Sequence, residues 1–248
     1  MPPSPRSRSL RPRTERIRSD ALLVRNAPFG EADVMVTLFT EAKGIVSAVA
    51  RSARRSARRF AALEPMHLLR VGLEDRPGGD TAMLVESAIA RPRLVLVGSL
   101  ERLEAAGLAL RWVRRASPPH TPEPALWAEI NALLDRLDAP ETGPSPSACV
   151  AGMGLRMLAA VGWGLDLSRC VRCGRACEPG ASAYLDAGEG GLICRGCGGG
   201  QGVGGSLLLR GERRERLIAA SQGDDSALGP DEVRAALEIV EAALAAHM

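Results

Sequence analysis

Two cysteine pairs with the same internal spacing are the clearest chemical signal in the sequence. Cys170 and Cys173 are separated by two residues, and Cys194 and Cys197 repeat that spacing after an interval of twenty residues. Four thiolates in such a double C-x2-C arrangement are typical of a tetrahedral zinc site. Because four protein ligands leave no coordination position for water, we expect a structural Zn2+ rather than a catalytic one.

Glycines follow the second cysteine of each pair and support this choice of ligands. Gly174 and Gly198 occupy the position that often needs a positive φ in a zinc knuckle, so that backbone N–H groups can point at the sulfurs. Cys177 forms a C-x3-C spacing with Cys173 and is an alternative ligand. Free or disulfide-bonded thiols are a second alternative, which a reducing cytoplasm disfavours. Cys149 stands alone on a helical stripe and is expected to be a small buried hydrophobe.

A second signal is the stretch RSARRSARRF (51–60), which contains five arginines and no acid. In a helix these arginines would share one face, and in a loop they would form a flexible basic arm. In both cases like charges repel, which favours an anionic partner over a solvated run of charge. We therefore predict that phosphates are contacted by Arg51, Arg54, Arg55, Arg58 and Arg59. Five such contacts to a single strand predict a log–log salt slope near −3.5, at roughly 0.7 per phosphate.

The charge distribution agrees with a basic surface at one end of the chain. Residues 1–70 carry 14 Lys/Arg against 6 Asp/Glu, a net charge of +8, whereas the remainder carries 18 against 23, a net charge of −5. Such asymmetry indicates a surface for a polyanion. There is no run of 18 apolar residues and no secretory hydrophobic segment behind the basic start, so we expect a cytoplasmic protein without a membrane span.

The elements around the arginines follow a strand pattern. Five short runs rich in branched residues are separated by turn signals, namely ALLVR (21–25), DVMVTLF (33–39), GIVSAVA (44–50), HLLRVGL (67–73) and TAMLVESAIA (81–90). Five strands in about 70 residues fit a small five-stranded OB-fold barrel better than a sandwich.

After Pro92 the hydrophobic period becomes helical, and Pro-rich breaks at 117–124 and 140–146 separate the helices. The predicted fold is therefore α+β and multidomain. Its predicted parts are a disordered basic tail (1–18), an OB-fold nucleic-acid-binding domain (19–92), an α-helical domain (93–167 and 206–248) and a zinc-finger insertion (168–205).

No pattern of catalytic residues is present, and we predict that the protein is not an enzyme. The sequence GQGVGG (200–205) satisfies G-x-G-x-x-G, but it follows a cysteine pair rather than a strand, which favours a flexible loop. Glu31 and Asp33 are more typical of a turn than of a metal site. The histidines at 67, 120 and 247 are scattered.

Three segments in order resemble the bacterial RecO family of recombination mediators. RNAPFGEADVMVTLFTEAKG (25–44) is similar to the family's opening strand, turn and strand, and VARSARRSARRFAALEP (49–65) resembles its basic segment and L-x-P. The C-x2-C-G…C-x2-C module inside a helical domain completes the order. The resemblance covers roughly residues 19–247.

The resemblance implies a protein that binds single- and double-stranded DNA, anneals complementary strands and acts in recombinational repair without hydrolysing anything. It implies action with RecR, engagement of single-strand-binding protein and assistance in loading RecA, at the nucleoid. The matching DNA-contact positions are the five arginines above, and the matching metal ligands are Cys170, Cys173, Cys194 and Cys197. The alternative is an OB-fold and zinc-ribbon module that binds RNA in ribosome or transcription work.

Overall fold

A closed five-stranded barrel forms the N-terminal part of the protein. The structure, a computed structural model, describes residues 16–56, 59–60, 63–76, 79–140, 143–199 and 206–247. The strands are β1 (Arg16–Phe29), β2 (Asp33–Thr40), β3 (Gly44–Ala50), β4 (Leu68–Glu74) and β5 (Thr81–Arg91). They close in the order β1-β2-β3-β5-β4, with β3 and β5 parallel and the other neighbours antiparallel. This is the predicted OB-fold.

Side-chain alternation along β2 explains why the barrel has two apolar faces. Val36 and Leu38 point into the barrel core, whereas Phe39 points outward and packs under the helices. Successive side chains of a strand face opposite sides, so one strand serves both cores. β1 begins at Arg16, and its residues 16–18 pair with 72–74 of β4. Those three residues therefore belong to the barrel and not to a tail; residues 1–15 lie outside the described part of the chain.

Helices follow the barrel, as the change of period predicts. They are α1 (Leu94–Val97), α2 (Leu100–Ala116), α3 (Pro124–Asp138), α4 (Pro146–Ala160), α5 (Gly211–Ser221) and α6 (Pro230–Ala246). Prolines stand at the first turn of α3, α4 and α6, where a missing N–H costs nothing. Most apolar side chains of these helices are buried or half-buried, but Leu100 at the start of α2 is exposed.

A small four-stranded sheet lies in the chain between α4 and α5. Its strands are β6 (Asp166–Cys170), β7 (Ala183–Asp186), β8 (Gly191–Ile193) and β9 (Leu207–Leu209), in the order β6-β8-β7-β9. Leu185, Leu192 and Leu209 of this sheet belong to the same apolar cluster as the helices. The cysteine-bearing module is therefore packed onto the helices rather than held at a distance.

The barrel is joined to the helices by direct packing. Phe39 and Trp127 of α3 meet with ring centroids 5.5 Å apart and tilted by 60°, a favourable geometry for aromatic pairs. The β2–β3 turn lies against the loop before α3, where the N–H of His120 donates to the carbonyl of Ile45 at 2.9 Å. A Cβ at Gly44 would lie 1.9 Å from the carbonyl oxygen of Thr121, so this close approach requires glycine.

Among the described residues, the helices are too short or too polar for any of them to span a lipid bilayer.

Candidate nucleic-acid interface and metal centre

The arginine segment is a tight turn fixed to the barrel by its backbone. Ala53–Arg55 form a single 3-10 turn, preceded by Ser52 with a φ of +55°. The N–H of Ser52 donates to Asp33 Oδ1 at 2.8 Å, and the N–H of Arg54 donates to the carbonyl of Ala32 at 3.1 Å. These bonds hold the segment against the β1–β2 turn. Within the described part, it is neither a long helix with one basic face nor a free arm.

The far end of the segment is fixed as well. The N–H of Ser87 in β5 donates to the carbonyl of Arg59 at 3.1 Å. Phe60 is only 4% exposed and belongs to the barrel core. The Arg59 guanidinium lies 5.1 Å from the Phe60 ring centroid, a cation–π contact that leaves the charge outside. The described ends of the segment are thus held at the β1–β2 turn and at β5, respectively.

The described arginine side chains of this segment are exposed and lack acidic partners among the described residues. Arg51, Arg54, Arg55 and Arg59 are exposed, and in the described part of the chain none has a carboxylate within 4.0 Å. Arg58 lies outside the described residues. The segment therefore carries exposed positive charges on a backbone held by hydrogen bonds, and it leaves their hydrogen-bond donors available to an anion.

The sequence predicts Asp33 to be a turn residue, and the structure gives it a further role as a hydrogen-bond acceptor for the arginine segment. Its carboxylate accepts the Ser52 N–H at the point where the arginine segment leaves β3. A carboxylate used in this way positions the backbone of the segment. Glu31 is exposed in the neighbouring turn. The G-x-G-x-x-G match at 200–205 lies outside the described residues.

Four thiols converge in the small sheet. The sulfurs of Cys170, Cys173, Cys194 and Cys197 all lie within 4.8 Å of one another, and those of Cys173 and Cys194 are 3.9 Å apart. Four sulfurs at such separations can surround one ion at the Zn–S distance of about 2.3 Å. The geometry is that of a structural metal site.

Backbone conformation around the thiols follows the knuckle prediction at one pair only. Gly174 has a φ of +70°, and its N–H donates to the carbonyl of Cys170 at 2.8 Å. In the second pair the positive φ falls on Gly199 instead, so the prediction for Gly198 was wrong. A Cβ at Gly198 would lie 3.2 Å from the Tyr184 ring, so close packing is the constraint there.

The surroundings of Cys170 favour the thiolate form of its side chain. Burial disfavours its thiolate, but N–H groups of Cys194, Cys173 and Arg172 outweigh that effect and lower the pKa of Cys170 to about 6. The N–H of Cys194 lies 3.3 Å from the Cys170 sulfur. Stabilised thiolates are the form that binds metal ions.

The remaining cysteines lie outside this cluster. The sulfur of Cys177 is directed at the carbonyl of Ala181, 3.9 Å away. Cys149 is buried in α4, as expected, and burial raises the pKa of its thiol. The geometry therefore favours the ligand set without Cys177.

Phe29 is an exposed aromatic residue on the surface of the barrel. It is 50% exposed at the end of β1, whereas Phe39 and Phe60 are buried. Its exposure follows from the strand register, because Phe29 pairs with Asp33 on the outer face of the barrel. Arg25 is exposed on the same face and pairs with Thr37.

Comparison with known proteins agrees with the order of these parts. The family profile described as "Recombination protein O N terminal" matches residues 15–93, and "Recombination protein O C terminal" matches residues 97–248. The chain is 36% identical to proteins named "DNA repair protein RecO" from Anaeromyxobacter sp. strain K and Anaeromyxobacter dehalogenans strain 2CP-1, over 94% of this chain and 92% of each relative. It is 33% identical to that of Geobacter metallireducens, over 94% of this chain and 93% of the relative. The chain therefore belongs to the RecO family of DNA repair proteins.

Proposed function

We propose that this protein is a non-enzymatic recombination mediator that binds single- and double-stranded DNA through the end of its barrel. The observation that carries the proposal is the arginine segment, whose backbone is tied to Ala32, Asp33 and Ser87 while its guanidinium groups lack carboxylate partners in the described chain. Unpaired arginines on a fixed backbone suit phosphate contacts, because little conformational entropy is lost on binding. The proposed contacts are Arg51, Arg54, Arg55, Arg58 and Arg59.

Annealing follows from the physics of such a surface. Phosphate contacts carry no sequence information, so the surface accepts any strand. Two strands held near the same positive charges repel each other less, which promotes pairing of complementary bases. The binding free energy comes largely from released counterions and therefore falls with salt.

We propose that the four clustered cysteines hold a structural Zn2+. The ion would be coordinated by Cys170, Cys173, Cys194 and Cys197, and it would join β6 to the loop after β8. Two short strands of three to five residues need such a cross-link, since a small sheet buries little apolar area of its own. Four thiolates leave no open position for substrate.

Family membership supports the partner part of the proposal. With RecR, the protein would act at single strands coated by single-strand-binding protein and help to load RecA, at the nucleoid in the cytoplasm. The barrel would hold DNA, and the helical region with its zinc module would remain available to proteins.

A strand-annealing assay tests the proposal. The variant with alanine at Arg51, Arg54, Arg55, Arg58 and Arg59 should anneal complementary oligonucleotides at close to the uncatalysed rate. A charge-matched control replaces five exposed arginines elsewhere, namely Arg111, Arg114, Arg175, Arg195 and Arg210, and should anneal like the native protein. Normal annealing by the first variant would contradict the proposal. A strong preference of the native protein for structured RNA over single-stranded DNA would favour the RNA-binding alternative.

A further inference from the structure

Phe29 is a half-exposed aromatic residue on the outer face of the barrel. Phe29 is 50% exposed, although complete burial of a phenylalanine side chain would stabilise the fold. The other two phenylalanines show the usual arrangement, because Phe39 packs on Trp127 and Phe60 fills the barrel core. Phe29 therefore differs from both in its environment.

Strand register puts Phe29 beside the arginine segment. Phe29 pairs with Asp33 across β1 and β2, and Val34 pairs with Ala50 across β2 and β3. Arg51 follows Ala50, so it lies one strand beyond Asp33 at the same end of the barrel. Neighbouring strands are about 4.8 Å apart, which separates the backbones of Phe29 and Arg51 by roughly 10 Å.

Two further observations bring positive charge to both sides of the ring. The hydrogen bond from the Arg54 N–H to the carbonyl of Ala32 holds the 3-10 turn against the β1–β2 turn that follows Phe29. On the other side, Arg25 lies four residues before Phe29 on the same outer face. Arg25 is exposed and has no carboxylate within 4.0 Å in the described part of the chain. Between them lies half-buried Ala27, paired with Met35.

We propose that Phe29 is a base-stacking residue for single-stranded DNA. A nucleobase would lie on its exposed ring, while phosphates contact Arg25 on one side and Arg51 and Arg54 on the other. The combination of a ring with flanking cations is complementary to a nucleotide, which has an apolar base and an anionic phosphate. This inference rests on the proposed DNA-binding function and adds to it a residue that distinguishes single strands from duplex.

The distinction arises because a duplex has no free base to offer. Its bases are stacked on one another, so only its phosphates reach the barrel, and the arginines alone would bind it. A single strand can engage both the ring and the arginines. Removal of the ring should therefore weaken binding of single strands selectively.

Fluorescence anisotropy with single-stranded and duplex oligonucleotides across a salt series tests the role of Phe29. In the Phe29→Leu variant, affinity for single strands should fall at least about 5-fold, since a stacked base contributes that much or more. The salt slope should stay as in the native protein, because no charge is removed. Duplex affinity should change less than about twofold, and Phe29→Trp should bind single strands at least as well as the native protein.

A second readout follows the base itself. A single strand containing 2-aminopurine should lose fluorescence on binding the native protein, by stacking, and should lose much less on binding Phe29→Leu. The control Leu208→Ala, which trims another half-exposed apolar side chain in β9, should match the native protein. Urea midpoints of the three variants should equal that of the native protein, since each altered side chain is largely exposed.

Three outcomes would overturn the inference. They are native-like binding of single strands by Phe29→Leu, equal losses for single strands and duplex, and an equal loss in Leu208→Ala. In each case a salt-dependent affinity of the native protein would leave the proposed DNA-binding function intact. Failure of the native protein to bind either DNA would instead reject the proposed function.

Discussion

The exposed arginines of the arginine segment and the largely buried, ion-paired arginines of the helical region have opposite environments. At the barrel, Arg51, Arg54 and Arg55 are exposed and lack acidic partners among the described residues. In the helical region, Arg156 donates to Glu129 and Asp225, and the Asp225 side chain is fully buried. Lysine occurs once, so nearly all positive charge in the chain is arginine, and residue type alone cannot separate the two roles.

The difference separates arginines that are available to an anion from arginines that stabilise the fold. An arginine whose donors are saturated by carboxylates and carbonyls stabilises the fold, and its loss leaves a buried charge behind. An arginine on a fixed backbone with free donors contributes little to stability, and it gains partners only when an anion binds. Four changes test whether the two regions separate in this way, from the largest expected effect to the smallest.

Loss of the metal centre should have the largest effect. Cys170→Ser should abolish stoichiometric zinc and destabilise the small sheet, since structural zinc binds with about 10–16 kcal/mol in small domains. Chelator should have the same effect on the native protein. Zinc content by mass spectrometry and thermal unfolding measure both. Cys177→Ser is the matched control, and it should keep about one zinc per chain because Cys177 lies outside the thiol cluster. If loss of zinc also lowered the salt slope of single-strand binding, the metal centre and the arginine segment would not act independently.

Arg156→Met should lower the free energy of unfolding by about 3–5 kcal/mol. The change removes bonds to Glu129, Asp225 and the carbonyl of Ala220, and it leaves the buried Asp225 carboxylate with Arg136 alone. Urea unfolding measures the loss. Arg114→Met, at an exposed position on α2, should change the free energy of unfolding by less than about 0.5 kcal/mol. Equal stability of the two variants would contradict a structural role for Arg156.

Arg93→Met should lower the free energy of unfolding by about 2–3 kcal/mol. Arg93 is fully buried between the barrel and α3, where it donates to Asp135, Asn131 and the carbonyl of Met66. Arg91 pairs with the other oxygen of Asp135 but is half exposed, which makes Arg91→Met the matched control. That control should cost no more than about 1 kcal/mol in urea unfolding. A smaller loss of unfolding free energy in Arg93→Met than in Arg91→Met would contradict a structural role for buried Arg93.

Arg54→Ala should have the smallest effect, and only on DNA binding. One lost phosphate contact should reduce the single-strand salt slope by about 0.7, which corresponds to about a fivefold weaker affinity near 0.1 M salt relative to 1 M. The free energy of unfolding should stay within about 0.5 kcal/mol. A destabilised variant with an unchanged salt slope would assign Arg54 to the structural class.

Local patterns in the sequence predict most of the fold and the metal cluster. Strand alternation, helical period and C-x2-C spacing each involve residues that are close in the chain, so the barrel, the helices and the four thiols follow directly. The extension of β1 to Arg16 could not be read in this way, because residues 16–18 look like a basic tail and form a strand only by pairing with β4.

Contacts between distant residues escape sequence reasoning for the same reason. Arg93 reaches Asp135 over 42 residues, and Arg136 reaches Asp225 over 89. Each of these arginines has the same residue type as Arg54, and only the fold decides which one meets a carboxylate. The exposure of Phe29 also depends on the register between β1 and β2 rather than on its neighbours in the chain.

The most direct test of the central claim is fluorescence anisotropy with a labelled single-stranded oligonucleotide across a salt series. The native protein is compared with the alanine variant of Arg51, Arg54, Arg55, Arg58 and Arg59. The charge-matched control carries alanine at Arg111, Arg114, Arg175, Arg195 and Arg210. The barrel variant should lose affinity and about 3.5 from the magnitude of the log–log slope, at roughly 0.7 per phosphate, while the control should keep both. Native-like binding by the barrel variant, or an equal loss in the control, would show that the barrel arginines are not the DNA-contact surface.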